Sequence, residues 1–212
     1  MAEAHAPAVA QLALDSSGAS AGARTGRVEF YYDLTHPECW LAAERIAVAL
    51  PFVPEFVPVL GRALAIESPT GDREALAARA RELGLLPLRW PERWPPDGER
   101  AALTATYAVG IGKVVAFSLA AFRQAFAAGR DLGDLDTVLI AAAACEIHPR
   151  AVLKAIGLRS VADSLRRACE RAQAAGVREL PAISAAGRLF QGRASLEQAA
   201  DALGSAMAAG GR

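Results

Sequence analysis

The stretch FYYDLTHPECWLAAERI, residues 30 to 46, sets a histidine, a proline, a glutamate and a cysteine in succession where an apolar run gives way to an amphipathic one. His36 and Cys39 are the two side chains there able to do chemistry near neutral pH. Imidazole titrates in that range and can donate to an anion or take up a proton. A thiol is reactive as its thiolate, and free N–H groups at a helix start favour the anion. On a helix the two residues stand one turn apart on one face. Glu38 between them is favoured at a helix start by the same electrostatics. The pair offers only two metal ligands and structural zinc takes four, so no metal site is expected. A dithiol cycle needs two sulfurs, so Cys39 could act only as a single thiol.

The elements that must position these residues can be read on either side. Val28 to Tyr32 reads as a buried strand. Pro37 suits the first turn of a helix, with Thr35 or His36 as its cap, and Leu41, Ala42, Arg45, Ile46 and Ala49 continue at helical spacing to Pro51. Glu55 to Leu60 reads as a second strand, in which Pro58 marks an edge or a bulge. From Asp72 to Ala175 the pattern is helical, broken at Gly84, at RWPERWPPDG, at Gly110 and Gly112, at GRDLGD and at Pro149. His148, just ahead of that proline, marks a helix boundary. Pro181 to Ser184 and Leu189 to Gln191 form a predicted hairpin around AAGR. A last helix opens at Ser195, where Ser195 and Gln198 have capping-box spacing. The order is therefore βαβ, a helical block, then ββα. That is an α/β, thioredoxin-like layout with an all-helical insertion at about residues 62–176. Residues 27–212 are expected to form this one domain, preceded by a disordered tail at 1–26 that is rich in alanine, serine and glycine.

Composition excludes several partner classes. The chain has 212 residues, 53% hydrophobic, and a formal net charge of zero. A domain of this size buries a large core. Nucleic acid and anionic membranes call for a basic surface, which balanced charge does not supply. Of the 23 basic residues only Lys113 and Lys154 are lysines, so cationic recognition falls to arginine, whose planar fork suits carboxylates. Cys39, Cys145 and Cys169 make no disulfide framework, and the chain reads as cytoplasmic and reduced. Cys145 and Cys169 sit in helical runs as core filler. Tail residue His5 carries no expected role.

Four segments in order carry a family resemblance: EFYYDLTHPECWLAAERI, GLLPLRWPERWPPDGERAALTA, FSLAAFRQAFAAGRDLGDLDTVL and AQAAGVRELPAISAAGRLFQGRASLEQAADAL. Together they resemble the DsbA-like thioredoxin superfamily, and within it the branch of 2-hydroxychromene-2-carboxylate isomerases and kappa-class glutathione transferases. The resemblance implies chemistry with glutathione as cofactor on a small-molecule substrate, in a protein that often forms homodimers. In that branch a serine ahead of the helix-start proline hydrogen-bonds the glutathione thiolate; His36 stands at that position here. The residue before a cis-proline offers its backbone to glutathione, which assigns that role to Leu180-Pro181. Where the branch has an aspartate for the γ-glutamyl amine, this chain has Ala194, with Arg193 beside it. An arginine there repels an amine and favours a carboxylate. The Asn and Lys contacts that follow the second strand in the branch are absent from LGRALAIESPTGDREA.

Three readings follow. The first is an isomerase- or transferase-like enzyme acting on a small aromatic or apolar carboxylate, with His36 in the serine's place and Arg193 on the carboxylate. The second is a DsbA-like single-thiol oxidoreductase working through Cys39, which the alternative makes an inert core residue. The third is a non-catalytic relative that keeps the pocket for binding, in which His36 is a plain helix cap. Trp90 and Trp94 are either core anchors or the wall of an apolar substrate pocket.

Overall fold

The computed structural model describes residues 27–66 and 72–210; the predicted tail at 1–26 lies outside them. Strand β1 (Glu29–Tyr32) leads through a tight turn into helix α1 (Pro37–Ala49), and β2 (Glu55–Pro58) runs parallel to β1. After the helices between them, β3 (Ala182–Ala185) pairs antiparallel with β1 and with β4 (Arg188–Gln191), giving the sheet order β2-β1-β3-β4. This is the thioredoxin-like arrangement of βαβ and ββα halves. Side-chain alternation explains why β1 is central: Phe30 and Tyr32 point to one face and stack 5.2 Å apart, with Phe56 of β2 edge-on at 5.1 and 5.5 Å. The buried Tyr32 hydroxyl is satisfied by Ser118 Oγ at 2.6 Å. Strand β2 is an edge strand ending on Pro58, where a missing N–H costs nothing.

Between β2 and β3 lie a short 3-10 turn (Gly61–Leu64) and helices α2 (Arg73–Glu82), α3 (Glu99–Gly110), α4 (Val114–Phe122), α5 (Leu135–Ala143), α6 (Pro149–Ile156) and α7 (Arg159–Ala174). The break expected at Gly84 falls there, where the glycine adopts φ +69° and closes α2, and it merges with the one at RWPERWPPDG, since no helix forms again before Glu99. Helix α4 runs on into one π turn, Arg123–Ala127, which places Phe126 between Trp40 of α1 (5.8 Å) and Trp94 (6.1 Å). Burying Trp40 completely on this aromatic seam contributes on the order of 3 kcal/mol and pins the start of α1 to the helical block.

The closing helix α8 (Ser195–Gly210) corrects one sequence expectation. Ser195 is the first helical residue and not the cap, so the expected capping box does not form. Gln198 N–H bonds the carbonyl of Ala194, and the Ser195 hydroxyl is buried without a partner among the described residues. His148, by contrast, does cap α6: its Nδ1 accepts the Arg150 N–H at 3.1 Å.

One glycine is fixed by close approach. A Cβ added at Gly98 would lie 2.5 Å from the Thr35 methyl carbon. Thr35 cannot turn away freely, because its hydroxyl is held by Asp33. Gly98→Ala is therefore expected to destabilise by about 1–3 kcal/mol, as overpacking does. A lowered denaturant midpoint with unchanged slope checks it.

Candidate functional site at the start of helix α1

The turn from β1 into α1 is built around one buried carboxylate. Asp33 Oδ1 accepts the Thr35 N–H and the Thr35 hydroxyl, both at 2.8 Å, and Oδ2 accepts the Gly61 N–H at 2.6 Å. The short polar side chain thus folds the turn back on itself and ties it to the exit of β2. The His36 N–H closes the turn on the Asp33 carbonyl at 3.1 Å. Thr35, the only hydroxyl beside His36, spends its proton on Asp33, which leaves His36 as the side chain able to serve a ligand.

His36 is the N-cap of α1, extended at φ −104° and ψ 114°, with Pro37 as the first helical residue. Its carbonyl receives the first helical bonds, from Cys39 and Trp40, but its side chain caps nothing. The residue is 8% exposed and its Nδ1 is buried without a hydrogen-bond partner among the described residues. Burial lowers its pKa to about 4, so the ring is neutral at pH 7. The positive end of α1 opposes protonation in the same sense.

Cys39 faces the core. It has no exposed surface, and burial pushes its thiol well above the ordinary range, the reverse of an activated thiolate. Cys145 and Cys169 are also free and buried. In native protein treated with a thiol-alkylating reagent near pH 7, Cys39 is expected to stay unmodified and to react only after unfolding. Peptide mass mapping checks this, and fast native labelling of Cys39 would restore the single-thiol reading. Among the described residues no group of three or more His, Cys, Asp or Glu converges as a metal site requires.

Around this centre lies an ion-pair bridge that the sequence did not disclose. Glu38, in the first turn of α1 and 12% exposed at its side chain, receives Arg79 Nη1 of α2 at 2.7 Å and Arg193 Nε at 3.4 Å. Arg79 also donates from Nη2 to the Arg193 carbonyl at 2.8 Å. Helix α2, the first turn of α1 and the loop after β4 are thus clamped together. Arg193 is 65% exposed at its side chain and holds Glu38 only through its long Nε contact. The one carboxylate does not neutralise both guanidinium groups.

Leu180-Pro181 is a cis peptide ahead of β3, and the Gly192 N–H bonds the Pro181 carbonyl at 2.8 Å. This places the segment against the loop that carries Arg193. Trp90 and Trp94 meet edge to face at 4.7 Å, with the Arg73 guanidinium 4.6 Å over Trp90. Trp94 also packs on Phe126, and its Nε1 is buried without a partner among the described residues. The chain from this pair runs on to Gly98, which presses on Thr35. Arg193 reaches the first turn of α1 through Glu38, its neighbour Gly192 holds Pro181, and the chain beyond the tryptophans approaches Thr35 at Gly98, while Cys39 is turned away into the core.

A family model for the DSBA-like thioredoxin domain matches residues 27–204. The chain belongs to this family. Among curated protein sequences none matches significantly. Solved structures do match this DSBA-like domain. A 2-hydroxychromene-2-carboxylate isomerase superposes with a TM-score of 0.73 at 15% identity, over 85% of this chain and 95% of the other. A probable DsbA oxidoreductase from Streptomyces coelicolor gives 0.70 at 20% identity, over 86% and 90%. The cytosolic disulfide reductase DsbM from Pseudomonas aeruginosa, in a structure with GSH, gives 0.61 at 14% identity, over 85% and 98%. At such identities these likenesses establish the fold of the DSBA-like domain. The family is one of oxidoreductases and isomerases, so its site must be judged from its own residues.

Proposed function

We propose that this DSBA-like protein is an enzyme of the 2-hydroxychromene-2-carboxylate isomerase type, working with glutathione on a small aromatic or apolar carboxylate. The observation that carries this is His36: buried, neutral, held at the start of α1 by the Asp33 turn, and left with an unpartnered Nδ1. A buried polar atom without a partner costs about 1–3 kcal/mol, which a ligand group bonded to it would offset. In the neutral ring one nitrogen donates and the other accepts, so His36 can hold an anion or move a proton without adding charge.

The residues fit glutathione at two points. His36 and the Glu38 N–H, the one donor of the first α1 turn without a partner among the described residues, would face its sulfur, and the Leu180 main chain would meet its peptide. Glutathione would supply a thiol nucleophile, which this site lacks in Cys39. Arg193, short of a full partner, is the group for a substrate carboxylate, and the Trp90–Trp94 pair would supply an apolar wall for the substrate ring. The single-thiol reading through Cys39 finds a buried thiol with its pKa driven the wrong way. A cytoplasmic setting suits three free cysteines and the likeness to a cytosolic disulfide reductase. Among the described residues no helix is long and apolar enough to cross a membrane.

Turnover of 2-hydroxychromene-2-carboxylate, followed with and without glutathione, tests the proposal. Isomerisation stimulated by glutathione is expected. No conversion under either condition would leave a binding protein without this activity.

A further inference from the structure

Gln191, the last residue of β4, makes three hydrogen bonds to the segment ahead of Pro181. Its Oε1 accepts the N–H of Arg178 at 2.6 Å and of Glu179 at 3.1 Å, and its Nε2 donates to the Gly176 carbonyl at 3.3 Å. Two consecutive N–H groups can meet one acceptor only where the chain bends, and it bends at Glu179 and Leu180. The Pro181 carbonyl is taken by the Gly192 N–H at 2.8 Å. From Arg178 to Pro181, Leu180 therefore carries the one main-chain donor without a partner among the described residues. Leu180 itself is buried, so a free donor there is costly until something bonds it.

We propose that Gln191 is a positioning residue that reserves the Leu180 main chain for a ligand carrying an extended amide. By consuming the two preceding N–H groups it fixes the direction of the Leu180 peptide and removes competing donors. The chemical class selected is a small peptide-like thiol, and a bare aromatic acid without an amide gains nothing from Leu180. This rests on the reading in which Leu180 aligns glutathione, and it adds the residue that makes that alignment specific.

The test is calorimetric titration of wild type, Gln191→Leu and Gln191→Glu with reduced glutathione and with S-methylglutathione, which keeps the peptide and lacks the thiol. Melting temperatures are measured alongside. Gln191→Glu keeps an acceptor for both amides and replaces the bond to Gly176 by a contact between two acceptor oxygens. Gln191→Leu is expected to weaken both ligands about tenfold or more, the scale of a misplaced hydrogen bond, and Gln191→Glu less than about threefold. Equal weakening in the two variants, or affinities that simply follow the melting temperatures, would overturn the inference. Should S-methylglutathione bind with this Gln191 dependence while His36→Ala changes neither ligand's affinity, the thiol role of His36 falls and the role of Gln191 stands. Wild type that binds neither ligand overturns both.

Discussion

Asp33→Ala is expected to lower folding stability by about 3–5 kcal/mol, the largest structural effect of any single change in the site. Three donors converge on this buried carboxylate, and two of them are main-chain N–H groups that cannot reorient. Each buried donor left unsatisfied costs roughly 1–3 kcal/mol, and water entering the space left by the side chain recovers part of the total. Against a domain stability of roughly 5–15 kcal/mol this is severe. Asp33→Asn keeps one carbonyl oxygen and turns an NH2 group toward the donors that the other oxygen served, so an intermediate loss is expected. Denaturant melts of the two variants check the order. A loss below about 1 kcal/mol in the alanine variant would mean that Thr35 and Gly61 are held by something other than this carboxylate.

His36→Ala is the change expected to cost most in function, about 10²–10⁴ in turnover if the ring moves a proton. Its pH signature is specific. Burial holds the folded-state pKa near 4, below the ordinary 6.5 of an unfolded histidine. The unfolded chain therefore binds the proton more readily. Stability from this group is fully present above pH 6.5 and is lost as pH falls toward 4, by roughly 3 kcal/mol in all. Activity that needs the neutral ring should persist through pH 5 and fall on a limb near pH 4, not near 6.5. His36→Asn keeps a competent cap residue and removes the titration, so its acid stability curve should be flatter than wild type over that range. Superimposable curves would show that the ring is not held neutral by burial.

The strands and the order of elements along the chain were legible because short-range signals sufficed. The aromatic and β-branched run at Val28 to Tyr32, Pro37 at a helix start and the AAGR hairpin are each local patterns. The break at Gly84 was legible because a glycine can close a helix in the left-handed region, whereas the length of the non-helical stretch from there to Gly98 was not. Ser195 and Gln198 had the right spacing for a capping box, yet the helix begins one residue earlier than that box requires, and Ala194 takes the cap. His36 was legible as a candidate from its type and place; its buried, unpartnered Nδ1 depends on packing and was not. Arg79 could not be found from sequence, since its partner Glu38 lies 41 residues away on another helix. Asp33 did leave a signal, an Asp two residues before a Thr in a turn, which is the spacing of a side chain closing on the backbone.

The most direct measurement is calorimetric titration of purified wild type and His36→Ala with reduced glutathione at pH 7. Saturable binding to wild type, weakened about tenfold or more in the variant, is the predicted result. No saturable binding at millimolar glutathione, or equal affinity in the two proteins, would contradict His36 as the group that meets the thiol at the start of α1.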